Sequence, residues 1–219
     1  VPHPELLMLM LADARLPVAG HTQSGTLEGA LANGLDPADV PAYLRSRLWG
    51  AIRVEAGTAV AARHAARGGA DLAGVDRAWA ARTVSPALRD AARLQGQALL
   101  RLAVRVWPGA VGALEVVTRP SRSTVLGTLA GHLDIGAASL ARLVAYDDVQ
   151  TVCAAALKLV PLDPVVVTGW VHDALDHVDD VVRAVADVQT PDEIPAVASP
   201  QIEAWAQAHA GSSRRLFRA

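Results

Sequence analysis

The chain has 219 residues, of which 52% are hydrophobic but only 4% aromatic, with a formal net charge of −2 and an isoelectric point of about 6.4. That length makes one large or two small domains, and an apolar content drawn largely from Ala favours helices packed through small side chains. The near-neutral charge makes no electrostatic case for nucleic acid, which would need a basic face, no apolar run reaches the roughly 18 residues of a membrane span, and the single cysteine, Cys153, cannot close an intrachain disulfide.

The first helix is predicted over Pro4 to Ala14, with Pro4 in the first turn and Glu5 at the positive helix end. Pro17 then leads into a polar loop, GHTQSG. The second helix runs from Gly25 to Ala32 or Asn33, with Ser24 as its cap and Asn33-Gly34 as its stop. Asp36-Pro37 opens a third region. Its three- and four-residue apolar spacing at Leu44, Leu48, Ala51 and Ile52 continues to Ala66, with a bend expected near Gly57. Gly68-Gly69 ends it, and Asp71 opens a short helix to Arg82. Ser85-Pro86, a capping hydroxyl followed by proline, starts a long helix to Trp107. Gly96 lies inside that helix at a cost of about 1 kcal/mol relative to Ala, which predicts a close neighbour such as another helix.

Residues 110–119 read as a loop with a short turn, although Val116-Val117-Thr118 is β-branched. Helices follow over Ser121 to Leu133 and Ile135 to Tyr146, with Asp134 as the cap between them. Val149 to Leu159, apolar nearly all round, reads as the central helix. After a break at Pro161 and Pro164, Val165 to Val188 forms the last long helix. Pro191, Pro195 and Pro200 punctuate a connection to a final helix over Gln201 to His209. The expected fold is all-α: one domain of about nine or ten helices at residues 1–210, followed by a flexible partner-binding tail at 211–219 ending in RRLFRA.

Three constellations bear on chemistry. His172 and His177, with Asp173, Asp176, Asp179 and Asp180, offer metal-ligating groups. The two histidines are five residues apart, however, or about 140° out of phase on one helix, so a solvated helix face is the better reading. Ser24, His21 and Glu28 lie close in sequence, but the strained G-x-S-x-G turn of a hydrolytic serine is absent. No GxxxxGK[ST] phosphate loop occurs. The tail joins arginines to Phe217, the only Phe, and Arg with aromatics anchors interfaces. Cys153, in TVCAAALKL, reads as a buried small hydrophobe. The opening VPHPELLMLMLADARL carries no basic n-region of a signal peptide, which agrees with a cytoplasmic chain.

Four stretches together resemble the urease accessory protein UreF family. LADARLPVAGHTQSGTLE is similar to its L-A-D-S-x-L-P-x-G-x-x-x-H-S-x-G-x-E, and SPALRDAARLQGQALLRL to its Arg-containing helix with an internal Gly. AALKLVPLDP is similar to its apolar helix ending in Pro-Leu, and RRLFRA to its C-terminal end. His21, Gln23, Ser121-Arg122-Ser123 and Asp163-Pro164 depart from that pattern. The resemblance implies an all-helical, non-catalytic cytoplasmic scaffold that forms a homodimer. Such a scaffold binds a UreD (UreH)-type accessory protein, recruits the GTPase UreG and supports nickel insertion into apo-urease. The resemblance also implies no tightly bound cofactor, with nickel handled by the complex.

The residues the resemblance singles out fall in three groups. Arg214, Arg215, Leu216, Phe217 and Arg218 are placed for partner binding. Pro17, Gly20, His21, Ser24, Gly25 and Glu28 form the motif loop, as a second contact or dimer surface. Arg89, Arg93, Gln95 and Gly96 mark the motif helix. The rival reading, a ligand-binding all-α regulatory module, would call for a basic helix-turn-helix nearby, and none appears.

Overall fold

Local caps decide where several of the helices begin. A computed structural model of the chain describes residues 3–18, 22–68, 70–213 and 215–217. Its helices are α1 (Pro4–Leu11), α2 (Leu27–Ala32), α3 (Val40–Trp49), α4 (Ala51–Gly68), α5 (Leu72–Arg82) and α6 (Pro86–Val106). They continue as α7 (Arg122–His132), α8 (Ala137–Leu159), α9 (Pro164–Asp173), α10 (Leu175–Val185) and α11 (Pro200–Ala210). The side chains of Asp71, Ser85, Ser121 and Asp163 accept backbone N–H groups from the first turns of α5, α6, α7 and α9. No strand occurs among the described residues, so the fold is all-α, and residues 108–116 form two short 3₁₀ turns. No helix among them is long and apolar enough to cross a membrane.

α4 occupies the centre, packed against α3, α5, α7, α8 and α10. Its Ala56, Ala59, Ala61 and Ala62 are fully buried. These small residues let neighbours approach from several sides. A Cβ at Gly127 of α7 would lie 2.1 Å from the Ala59 carbonyl oxygen. The segment expected at the centre, Val149 to Leu159, is instead the C-terminal half of α8. It keeps an exposed stripe that includes Leu157 and Lys158.

Other boundaries differ for identifiable reasons. α3 and α4 part at Gly50, where a Cβ would meet the Ser199 hydroxyl at 1.8 Å, whereas Gly57 lies in an unbroken helix under the Pro195 ring. The helices expected over Ile135 to Tyr146 and Val149 to Leu159 are one continuous α8, in which Asp147 and Asp148 pair with Arg122 of α7 and Arg47 of α3. Asp134 takes a left-handed conformation (φ 57°) at the end of α7, and Gly136 rather than Asp134 precedes α8. The long helix expected over Val165 to Val188 divides at Ala174, whose N–H is shared between the Trp170 and Val171 carbonyls.

One hydrophobic core runs from Leu7 of α1 through the bundle to Phe217. α2 and α11 close one side of it. A Cβ at Gly29 would lie 2.8 Å from both the Trp205 carbonyl oxygen and the His209 Cβ. That close approach brings the motif loop and the C-terminal end of the chain together.

Candidate functional site

Gly25 and Thr26 make the loop possible. Both have positive φ (58° and 68°), a conformation that suits Gly and strains Thr. Gly25 packs against Val152 of α8, and its carbonyl accepts the Tyr43 hydroxyl at 2.5 Å. Ser24 is fully buried, and its hydroxyl accepts the Glu28 N–H at 3.3 Å. Ser24 is nevertheless not the cap: the left-handed pair shifts the start of α2 to Leu27, Thr26 takes the cap position with no side-chain capping bond, and the Ser24 hydroxyl reaches the first turn from two residues further back. Of the other motif-loop residues, Pro17 is exposed, whereas Gly20 and His21 lie outside the described residues.

Glu28 faces the end of the chain. Its two carboxylate oxygens accept the main-chain N–H groups of Leu216 at 2.6 Å and Phe217 at 2.8 Å. The buried His209 ring places Nε2 3.3 Å from the Phe217 carbonyl oxygen and 3.5 Å from Glu28 Oε2. With its proton on Nε2, the imidazole donates into this pair of acceptors. The Phe217 ring is 4% exposed, with the Lys158 ammonium 5.3 Å from its centroid. Leu216 is 65% exposed and Arg215 is also exposed. Arg214 and Arg218 lie outside the described residues.

A second polar assembly lies beneath α6. Arg47 grips Asp148 through two hydrogen bonds, at 2.6 and 2.8 Å, in a nearly dry setting. Burial works against the Arg47 charge, but Asp148 and Tyr43 outweigh it and raise the guanidinium pKa. Burial also pushes the Tyr43 hydroxyl up to about 12. Arg122 pairs with Asp147 at 2.9 Å, yet burial still holds that carboxyl above its ordinary range. Glu55 accepts the Trp79 indole N–H at 2.8 Å and the Ser123 hydroxyl, and burial raises its pKa as well. Arg47, Glu55, Arg122, Asp147 and Asp148 line a cavity of about 150 Å³ that Gln95 of the motif helix also reaches.

The remaining motif-helix residues make internal contacts, to backbone and to the Asp76 carboxylate. Arg89 donates to the Thr83 and Val84 carbonyls, and Arg93 donates to Asp76 and to the Arg119 carbonyl. A Cβ at Gly96 would lie 2.1 Å from the Pro120 carbonyl oxygen. The close neighbour is thus the backbone leading into α7.

The other constellations do not converge. The division at Ala174 puts His172 and His177 on different helices. Asp180, near His177, is engaged by Arg183 at 2.5 Å. No three His, Cys, Asp or Glu side chains are placed for a metal ion among the described residues. Cys153 is buried, and burial helped by Asp148 pushes its thiol up to about 11, so it stays protonated at neutral pH. Sequence reasoning missed His209 and Lys158, whose roles exist only once the tail folds back.

Comparison with known proteins bears on the whole chain. The family model for UreF matches residues 35–175. A urease accessory protein UreF from Mycobacterium sp. (strain JLS) is 37% identical over 218 residues, covering 96% of each chain. Proteins of the same name from Mycobacterium marinum and Mycobacterium tuberculosis are each 33% identical, covering 96% of this chain and 97% of their own.

Proposed function

This chain belongs to the UreF family of urease accessory proteins, and from that membership we propose that it is a non-catalytic scaffold of urease maturation. In this reading it binds a UreD (UreH)-type accessory protein, and the pair recruits a UreG-type GTPase. The assembly inserts nickel into apo-urease in the cytoplasm, with nickel as the cargo of the complex. The observation that carries the reading is the meeting at Glu28. Two motif stretches, 188 and 189 residues apart at their contacts, form one surface there. A homodimer fits the apolar side chains left exposed on α1 and α9, including Leu6 at 62%, Leu9 at 71% and Val165 at 76%.

Co-expression with UreD-type and UreG-type proteins, followed by size-exclusion chromatography, tests the proposal. The full chain is expected to elute with both. A chain ending at Gly211 is expected to lose the UreD-type partner while keeping its helical circular dichroism. Unchanged co-elution of the shortened chain would remove the tail from the reading. A full chain that elutes alone beside folded partners would remove the function.

A further inference from the structure

We propose that Glu28 is a positioning residue for the C-terminal tail. It clamps consecutive main-chain amides so that Phe217 serves as an internal anchor and Leu216, beside Arg215, is the side chain presented to the accessory-protein partner. The inference rests on the proposed function for the partner's identity. It deepens that reading by dividing the tail into residues that hold it and residues that meet the partner.

The grip is made through backbone. Leu216 and Phe217 give their N–H groups to separate oxygens of one carboxylate. Charge-assisted bonds of this kind are the stronger class of hydrogen bond. The two clamped residues differ sharply in burial: Phe217 is 4% exposed and Leu216 65%. His209, beside Glu28, meets the Phe217 carbonyl, and Lys158 sits over the ring. The polar loop acquires a purpose from this arrangement. The Ser24 hydroxyl fixes the Glu28 N–H, and the close contact at Gly29 sets α2 on α11, so the carboxylate faces the tail. A large apolar side chain held outward beside a cation calls for a partner with an apolar pocket rimmed by carboxylates.

Hydrogen exchange of the C-terminal peptide in the free, full-length chain reads the clamp. Affinity for the UreD-type partner reads the presentation. Glu28→Ala is expected to speed exchange at the Leu216 and Phe217 amides about tenfold or more, as loss of bonds to a charged acceptor implies. It should also weaken partner binding about tenfold. Glu28→Gln, which keeps the side-chain shape, should fall between it and the native chain. Leu216→Ala should leave exchange unchanged and still weaken binding about tenfold, whereas Phe217→Ala should move both. Exchange that is unchanged in Glu28→Ala, with its helical signal intact, overturns the clamp. Faster exchange with equal or tighter partner binding overturns the positioning role, because the tail would then act by release. If the native chain binds no UreD-type protein, the partner reading fails, and the exchange arm still judges the clamp by itself.

Discussion

Arg47 and Asp148 stand 101 residues apart in sequence and meet with side chains 8% and 11% exposed. Removing both charges from water costs several kcal/mol per ion, so the pair is held by its geometry and its neighbours. Breaking it from one side leaves a buried carboxylate without its two-pronged partner. Arg47→Met is therefore expected to destabilise the chain by about 3–5 kcal/mol. Adding Asp148→Leu should recover most of that loss. Urea unfolding of the two single variants and the double variant measures the coupling directly, and equal losses in the single and double variants would contradict it. Glu55 supplies a pH signature. Its folded pKa is raised above the ordinary value of 4.5, chiefly by burial, so its contribution is full below that value and is lost as pH rises through the folded pKa. Glu55→Gln cannot titrate, and its amide can still accept from the Trp79 indole and bond to the Ser123 hydroxyl. The variant should exceed the native chain in stability at pH 7, and the difference should shrink towards pH 4. Unfolding free energies across that range check the sign.

At the scale of the helix, two glycines with the same propensity cost should respond in opposite directions. Gly96 of α6 faces the Pro120 carbonyl at a distance no Cβ tolerates, whereas Gly169 of α9 is exposed with open space around it. Gly96→Ala is expected to cost about 1–3 kcal/mol through overpacking, despite the better helix former. Gly169→Ala should gain about 0.5–1 kcal/mol. Thermal or urea midpoints of the two variants decide the matter, and a stabilising Gly96→Ala would show that α6 can move off the Pro120 backbone. The same contrast shows what was legible beforehand. The penalty at Gly96 announced a close neighbour, but the neighbour's identity depended on a segment more than twenty residues away. Asp71, Ser85 and Ser121 were readable as starts because a cap needs only its own first turn. The break at Gly50 answers to Ser199, and the Asp147-Asp148 pair within the continuous α8 answers to Arg122 and Arg47. Both depend on partners that adjacent residues do not reveal. The site divides in the same way. The polar loop and the Phe-bearing tail each stood out locally, but their meeting at Glu28 is a tertiary fact, and His209 and Lys158 carried no local signal at all.

For the molecule as a whole, the arrangement around α4 bears on how it unfolds. α4 touches helices from both halves of the chain, and its buried alanines leave little room for one half to separate while the other stays packed. The core is continuous from Leu7 to Phe217, and its tryptophans are dispersed, with Trp79 fully buried in α5 and Trp107, Trp170 of α9 and Trp205 of α11 partly buried against the core. A chain of this length is large enough for intermediates to be common. A shared central helix nevertheless argues for one cooperative unit through residue 210. Urea unfolding followed by far-ultraviolet circular dichroism and by tryptophan fluorescence should therefore give coincident midpoints. Among the described residues, the tail is tied in through α2, α11 and Lys158 of α8, with Phe217 buried at the edge of the core. Cutting the chain after Gly211 should leave those transitions coincident even if both shift to lower urea. Separate midpoints in the native chain would mean that α4 belongs to one half alone. Separation only after the cut would mean that the docked tail, rather than α4, couples α2 and α11 to the remaining helices.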